Sequence, residues 1–377
     1  MRKSITLALM MVLSFSSYAA AAVSAQTGKA DIAVLLPDSK SSARWENDDR
    51  RFLDAAFKAA GVTYSIVNAE GDKSKQQTQA EAAITNGAKV ILFVDLDSGS
   101  GATIIDEAHA AKAKVIDYDR LTIQGPGADF YVSFDGKAVG TLQGKGLVAA
   151  ITAAKLVKPV VAELNGSPTD NNATLFASGY DEVLAPLYKD GTYVKGPNQS
   201  VPDWDNTKAE TIFEQMLTAT KGKIDAAVAA NDGLAGAINA ALANQNLKPI
   251  PVTGQDATVG GIQLVLAGKQ SMTVYKGIKA EAEAAAALAV AIVKGTDTKA
   301  LATSTIDNTD GGKNAAGNKA EPAVLLTPVS VTKDNIATTV IADGFRTWAE
   351  ICVGDFAQFC PPEAMATMAA TMAATAK

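Results

Sequence analysis

The sequence predicts an α/β protein made of two Rossmann-like, doubly wound lobes in tandem. Apolar, strand-like runs alternate with Ala-rich stretches of helical length from Asp31 onward. The strand-like runs are apolar throughout, which indicates parallel strands covered by helices on both faces. The same rhythm begins again after a helix ending at Ala154, so we expect two similar units rather than one large sheet.

The first half alternates strands and helices. We predict strands at Asp31–Leu36, Thr63–Asn68, Val90–Val94, Lys114–Tyr118 and Phe130–Ser133, and helices at Trp45–Ala60, Lys73–Asn86 and Ala102–Ala111. Gly61 and Gly87 follow the first two helices, where a glycine commonly ends a helix.

The second half repeats this order with longer helices. We predict strands at Pro159–Leu164, Asp225–Ala229, Ile250–Thr253, Ser271–Tyr275 and Ala323–Leu326, and helices at Asp135–Ala154, Asn171–Leu187, Asn206–Thr220, Ala235–Gln245, Val259–Ala267 and Lys279–Val293. The Gly- and Asn-rich stretch Thr309–Ala320 is predicted to be a surface loop.

Composition excludes several classes of protein. The 377 residues include 34 Lys and Arg against 40 Asp and Glu, a net charge of −6, with no basic block of the kind that binds nucleic acid. The single histidine, His109, excludes multi-histidine metal sites. It lies in an Ala-rich helix, where we expect a surface or half-buried position. We expect no cofactor.

The first 25 residues have the pattern of an export signal. Met1-Arg2-Lys3 is basic, Ile5–Phe15 is apolar, and small residues lead to a cleavage site after Ala25. An uncleaved membrane anchor is the alternative, but a span needs roughly 20 apolar residues. We therefore expect an exported, soluble mature protein. No Cys lies near the cleavage site for lipid attachment, and a mature protein without a lipid anchor favours the periplasm.

Cys352 and Cys360 are the only cysteines of the chain. An exported protein meets an oxidising compartment, so we expect a local disulfide that stabilises the C-terminal tail, residues 351–377. The Met/Ala/Thr-rich stretch after Pro362 is either a frayed helix or disordered.

Polar and aromatic side chains follow the ends of the predicted strands, where open α/β sheets bind ligands. The candidates lie in the segments Pro37–Trp45, Asp117–Arg120, Asn165–Asn172, Asn231-Asp232, Gly254–Asp256 and Tyr275-Lys276, and Trp204 lies in a further polar loop. Carboxylates and amides together with Arg and Lys satisfy sugar hydroxyls, which both donate and accept hydrogen bonds. Tryptophans can pack on the apolar faces of a sugar ring. The set therefore predicts a site for an uncharged polyhydroxylated ligand.

Each candidate also has a structural interpretation. An Asp or Asn after a strand often caps the next helix, as Asp170 would do. Trp45 fits an apolar helix anchor, and Asp119 with Arg120 fits an ion pair. The hypothesis therefore depends on the whole set falling at strand ends.

Several common catalytic motifs are absent from the sequence. The sequence has no G-x-G-x-x-G after a strand, no G-x-x-x-x-G-K-[ST] and no G-x-S-x-G. Paired carboxylates keep an exported glycosidase as the enzymatic alternative, although carboxylates that only bind sugar have the same sequence pattern. We expect no catalysis.

The segments that contain these candidates resemble the periplasmic sugar-binding proteins of ABC importers, in the pentose/hexose group. The resemblance runs from about Asp31 to Phe345. It is carried by Ser41-Ser-Ala-Arg-Trp45, Tyr118-Asp-Arg120, Asp129-Phe-Tyr-Val-Ser-Phe-Asp135, Gly166-Ser-Pro-Thr-Asp-Asn-Asn-Ala173, Ala230-Asn-Asp232, Gly254-Gln-Asp256 and Met272-Thr-Val-Tyr-Lys276.

The resemblance implies the type I periplasmic binding protein fold, in which two lobes are joined by three hinge crossings. We place the crossings near Asp135, Lys276 and Pro322. The N-terminal lobe would then hold residues 30–135 and 277–322, and the C-terminal lobe residues 136–276 and 323–350.

The resemblance also implies which residues contact a monosaccharide, and that a membrane ABC permease receives this sugar. The ten residues are Arg44, Trp45, Asp119, Arg120, Asp170, Asn172, Trp204, Asn231, Asp256 and Lys276. D-xylose is the first choice, because Asp170-Asn-Asn172 with Asp119-Arg120 is most similar to xylose-binding members. Ser41-Ser-Ala-Arg-Trp45 is closer to multi-sugar members, so glucose, galactose or arabinose stays open. The surroundings of Trp204 depart from the xylose pattern.

A chemoreceptor or sensor kinase is a possible further partner, and we expect a monomer that binds no nucleic acid. A sugar-responsive repressor shares the lobe architecture. It would need an N-terminal DNA-binding helix pair where this chain has an export signal.

Overall fold

The computed structural model describes residues 29–375, with side chains through residue 369. The predicted export signal, residues 1–25, lies outside the described residues. The first half contains β1 (Ile32–Leu36), a π-helical turn (Trp45–Asp49), α1 (Arg50–Ala60), β2 (Tyr64–Asn68), α2 (Lys73–Thr85), β3 (Val90–Phe93), α3 (Ser98–Ala110), β4 (Lys114–Tyr118) and β5 (Phe130–Phe134).

The second half begins with a long helix. It contains α4 (Gly136–Ala153), β6 (Val160–Asn165), α5 (Asn171–Lys189), β7 (Val194–Ser200), α6 (Asn206–Ala219), β8 (Ala226–Ala229), α7 (Asp232–Asn244), α8 (Val259–Leu266), β9 (Thr273–Tyr275) and α9 (Ile278–Lys294). Three short strands and two helices follow: β10 (Ser304–Ile306), β11 (Glu321–Leu326), β12 (Val329–Val331), α10 (Trp348–Ile351) and α11 (Pro362–Thr375).

The first lobe is built on a seven-stranded sheet in the order β10-β11-β5-β4-β3-β1-β2. Only the pairing of β10 with β11 is antiparallel. All residues of β1 and β3 are buried, as expected for strands with helices on both faces. The carboxyl ends of these strands therefore meet at one edge of the sheet.

The second lobe contains the β7-β6-β8 sheet and the β12-β9 pair. Single parallel bridges, Ala227 to Val252 and Gln255 to Val274, connect the two groups of strands. The prediction of a full strand at Ile250–Thr253 was wrong, because Pro249 and Pro251 lack the N–H groups that a regular ladder needs.

The third crossing between lobes lies later than Pro322. β11 pairs in parallel with β5 from Ala323 to Leu326, so these residues belong to the first lobe. β12 then pairs with β9 in the second lobe, which places the crossing between Leu326 and Val329. The assignment of residues 323–326 to the C-terminal lobe is corrected, because this apolar run covers the edge of β5.

Two helices begin earlier than predicted because their caps lie further upstream. The Asp97 side chain accepts hydrogen bonds from the N–H groups of Gly99 and Ser100, so α3 starts at Ser98. The Asn231 side chain accepts from Leu234 N, so α7 starts at Asp232.

The remaining features lie away from the cleft between the lobes. The His109 side chain is 34% exposed, and its Nε2 lies 3.0 Å from Asp129 Oδ2. Cys352 and Cys360 are bonded, with their Cα atoms 6.0 Å apart. The tail after Pro362 forms α11. In the part of the chain described here, each helix is too short or too polar to cross a membrane.

Helices α4 and α5 touch through glycines. A Cβ on Gly140 would lie 1.9 Å from the Phe176 carbonyl oxygen, and one on Gly179 would lie 2.2 Å from the Lys137 carbonyl oxygen. Because α5 starts at Asn171, this contact sets the position of the residues at its N-terminus.

Gly140→Ala should lower the free energy of unfolding by about 3 kcal/mol, because the added methyl group collides with backbone. Gly236→Ala is the matched control within α7, where nothing lies within 4 Å of the added Cβ. That change should raise the free energy by up to about 1 kcal/mol. Urea unfolding of both variants measures the difference, and equal effects would contradict the close contact.

Candidate functional site

One cavity between the lobes is lined by all ten candidates. They are Arg44, Trp45, Asp119, Arg120, Asp170, Asn172, Trp204, Asn231, Asp256 and Lys276, and each is at most 6% exposed. First-lobe strand ends supply the first four, and the second lobe and the hinge supply the others. The structure thus brings together residues up to 232 positions apart in the chain, from Arg44 to Lys276.

The Arg44 guanidinium is the central cation of the first lobe. Its Nε and Nη2 donate to the two Asp49 oxygens at 2.9 and 2.7 Å. Its Nη2 also lies 2.6 Å from Glu281 Oε2, and its Nη1 lies 2.7 Å from Asp119 Oδ2. Burial would lower the pKa of Arg44, but these three carboxylates raise it, so the guanidinium stays charged.

Asp119 has a backbone φ of 64°, in the left-handed region that Asp tolerates better than most residues. This conformation turns its carbonyl oxygen toward three donors. The Tyr131 hydroxyl, Ser133 Oγ and Asn172 Nδ2 each lie 3.0 Å from it. Because Asn172 belongs to the second lobe, Asp119 joins the two lobes directly.

The Asp119 carboxylate faces a second cation at the hinge. Lys276 Nζ lies 3.3 Å from Asp119 Oδ2 and 3.3 Å from Asp256 Oδ1. Burial would raise the pKa of Asp119, but Lys276 and Arg44 hold the pKa of this carboxyl well below its usual value. Asp119 is therefore ionised over the physiological pH range.

Arg120 spans the cleft beside this network. Its Nη1 donates to the Asp95 carbonyl oxygen at 3.0 Å, and its Nε lies 3.1 Å from Asp170 Oδ2 of the second lobe. Its guanidinium carbon lies 5.7 Å from the Trp45 ring centroid. The Trp45 indole is fixed in turn, since its Nε1 donates to Ser41 Oγ at 3.1 Å.

Asp170 combines a structural role with a place in the site. One oxygen accepts from Asn172 N at 2.9 Å and caps α5, as the structural interpretation expects. The other accepts from Trp204 Nε1 at 3.0 Å. Gly166 makes room for this indole, because a Cβ there would lie 2.0 Å from the ring.

Several buried oxygens in the cavity have no hydrogen-bond partner among the described residues. They are Ser42 Oγ, Gln255 Oε1 and Asp256 Oδ1. Asp256 Oδ1 lies within ion-pair distance of Lys276, but not in hydrogen-bond geometry. Buried polar atoms are rarely left without a partner, so these oxygens indicate a site for a hydroxylated ligand.

Residues beyond the ten predicted also form the site. Phe176 lines the cavity one helical turn after Asn172, and its ring centroid lies 6.4 Å from that of Trp204. The spacing of four residues on α5 was a usable signal for Phe176. Glu281 had none, because an acidic residue within an Ala-rich helix ordinarily faces solvent.

The cavity offers groups that can bind a hydroxylated ligand. It offers carboxylate and amide acceptors, guanidinium and ammonium donors, and indole faces, but no thiol or imidazole. Among residues 29–375, no cluster of three or more His, Cys, Asp or Glu side chains is arranged to hold a metal ion.

The cavity is small, at about 30 Å³, because the lobes touch across it. Small-molecule sites usually measure roughly 300–1,000 Å³. The space is too small for a monosaccharide while contacts across it, such as Arg120 with Asp170, are in place.

A family model described as a periplasmic binding protein domain matches residues 32–297. The chain is 36% identical over 330 residues to the D-xylose-binding periplasmic protein of Escherichia coli (strain K12), covering 87% of this chain and 94% of that protein. It is 31% identical over 361 residues to the multiple sugar-binding periplasmic receptor ChvE of Rhizobium radiobacter, covering 92% and 98%.

A solved structure shares the architecture as well. A carbohydrate transporter solute binding protein from Chloroflexus aurantiacus, in complex with D-glucose, superposes with a TM-score of 0.76 at 30% identity. The match covers 86% of this chain and 98% of that one.

Asp95, behind Arg120, should make stability depend on pH. Burial raises its pKa to about 7, Asp170 adds to the effect and Arg120 opposes it. The folded protein keeps this proton up to about pH 7, whereas the unfolded chain releases it near pH 4. Stability from this group is therefore lost as the pH rises from about 4 to 7.

Asp95→Asn removes the titrating group. Because the wild type loses stability from this group as the pH rises and the variant does not, the variant should become more stable relative to the wild type between pH 5 and pH 7.5. Urea titrations at both pH values measure the two free energies of unfolding. A difference that is the same at both pH values would contradict a proton held on Asp95.

Proposed function

The chain belongs to the periplasmic binding protein family, and from that premise we propose that it is the substrate-binding component of an ABC-type monosaccharide importer. The sugar binds between the two lobes and is delivered to a membrane permease. The observation that carries this proposal is a cavity whose donors, acceptors and tryptophans come from both lobes.

Closure follows from contacts that one ligand makes on both sides of the cleft. A ligand shifts a conformational equilibrium only by binding one state better than the other. Arg44, Trp45 and Arg120 contact the sugar from the first lobe, and Asn172, Trp204 and Asn231 from the second. The closed form that results is the one presented to the permease.

D-xylose is the first ligand we propose. The relative from Escherichia coli is named for this sugar, and Asp119, Arg120, Asp170 and Asn172 line the cavity. Broader specificity is the second candidate, because the relative from Rhizobium radiobacter is named for multiple sugars and the Chloroflexus protein holds D-glucose.

The remaining aspects of the proposal concern location and partners. The relatives are named as periplasmic proteins, which supports export of this chain. We propose cleavage near Ala25 on the sequence pattern alone. We propose that the mature protein is a monomer without catalytic activity. Signalling through a chemoreceptor or sensor kinase is a second role, in line with the word receptor in one relative's name.

Titration calorimetry of the mature protein with D-xylose, D-glucose, D-galactose and L-arabinose tests the proposal. Micromolar or tighter binding of xylose alone would support the xylose importer. Comparable binding of several sugars would favour the multi-sugar function. Silence from all four sugars would overturn the proposed ligand class, and turnover of a chromogenic glycoside would overturn the non-catalytic role.

Arg120→Ala and Asp256→Ala should each weaken sugar binding by about tenfold or more, because each leaves buried partners unsatisfied. Arg50→Ala is the control: Arg50 pairs with Glu46 on the first lobe, outside the cavity lining. Calorimetry should find its affinity unchanged. A folded Arg120→Ala protein with wild-type affinity would remove Arg120 from the site.

A further inference from the structure

The chain continues past the last strand of the second lobe into a C-terminal segment, residues 332–369. Its apolar side chains pack on α8 and β9, and the buried members are Ile336, Val340, Phe345, Trp348, Ile351, Cys352 and Ala364. Gln263 Nε2 of α8 donates to the Ile351 carbonyl oxygen at 2.9 Å. The segment is thus fixed to the second lobe.

One residue of this segment reaches the first lobe. Arg346 binds Asp48 with two hydrogen bonds, Nη1 to Oδ1 at 3.0 Å and Nη2 to Oδ2 at 2.9 Å. Asp48 is 2% exposed and Arg346 is 8% exposed. Two-point pairs of this kind fix both orientation and distance. Phe52, one turn beyond Asp48, packs against the same segment.

Asp48 supports the proposed sugar site. Asp48 lies in the π-helical turn Trp45–Asp49, which carries Trp45 and directly follows Arg44. Holding Asp48 therefore holds the backbone that presents two of the proposed sugar contacts of the first lobe.

The same guanidinium also supports a contact of the second lobe. Arg346 Nε donates to the Ala257 carbonyl oxygen at 3.2 Å. Asp256 and Ala257 have backbone φ angles of 94° and 46°, which residues other than glycine rarely adopt. A backbone in this region persists only when its surroundings hold it.

Residues next to Arg346 in the chain fix the position of its side chain. Its guanidinium stacks on the Phe345 ring, with Cζ 3.8 Å from the centroid. Asp343 accepts a hydrogen bond from the Tyr275 hydroxyl, next to the hinge. The Thr347 and Glu350 side chains form a capping box that starts α10 directly after Arg346.

We propose that Arg346 is a positioning residue that couples the C-terminal segment to sugar binding, by tying the Trp45 turn of the first lobe to the Asp256 turn of the second. This inference rests on the proposed sugar-binding function. It assigns a purpose to a segment that lies mostly outside the resemblance described above. Arg346 touches no sugar, and it acts by stabilising the closed arrangement of the residues that do.

The test uses the mature protein with Arg346→Ala, Arg346→Lys and Asp48→Asn. Each should weaken affinity for D-xylose by about tenfold, in the range typical of coupled sites. The loss should lie in a faster dissociation rate measured by stopped flow, because closure acts after encounter. Lysine should not rescue, since it lacks the planar fork that meets Asp48 and Ala257 together.

A double-mutant cycle separates coupling from bulk stability. Asp48→Asn combined with Arg346→Ala should bind about as weakly as Arg346→Ala alone, because the pair is already broken in Arg346→Ala. The other ion pair of Asp48 is with the half-exposed Arg51 and contributes little. Lys137→Ala breaks the exposed ion pair with Glu182 and serves as the control with unchanged affinity. Should Arg346→Ala fail to fold, the isosteric Asp48→Asn decides the question.

A lower melting temperature with wild-type affinity and dissociation rate would overturn the proposal and leave Arg346 a purely structural residue. If the wild type binds none of the four sugars, the proposed ligand class is wrong instead. Small-angle scattering of the sugar-free protein then tests whether Arg346 holds the two lobes together. Arg346→Ala should have a larger radius of gyration than the wild type. Identical scattering profiles of the two proteins would overturn the proposed coupling.

Discussion

The ionised carboxylate of Asp119, buried between Arg44 and Lys276, is the interaction around which the two lobes are arranged. A buried charge is costly unless paired, so each cation needs this acid and the acid needs both. Arg44 also binds Asp49 and Glu281, and these contacts bring α9 against the π-helical turn Trp45–Asp49. The carbonyl of Asp119 binds Asn172, so one residue connects the first lobe, the hinge and the second lobe.

Close backbone approaches make this arrangement possible. Gly140 lets α4 lie directly on α5, which presents Asn172 and Phe176 to the cleft. Gly166 gives the Trp204 indole the space in which its Nε1 meets Asp170. These glycines exert their effect through the absence of a Cβ, and so the polar network depends on steric fit as much as on charge.

Sequence patterns located the long elements and the ten candidates because both obey local rules. An apolar run of five residues between glycines or polar turns marks a buried strand, and parallel topology gathers its following residues at one edge. The patterns missed β7, β10 and β12, which are short or polar strands at sheet edges. β7 contains Gly196 and Pro197, which are tolerated at an edge but ordinarily argue against a strand.

The sequence by itself determined the fold class, the order of the long elements and the chemical character of the cavity, because residue type and periodicity are local properties. Tertiary structure alone decided that β11 joins the first sheet, that Glu281 contacts Arg44 and that Arg346 meets Asp48 across 298 positions of chain. These pairings depend on where the chain crosses between lobes. No local pattern encodes that path, since it is fixed by which buried charges and sheet edges find partners when both lobes are assembled.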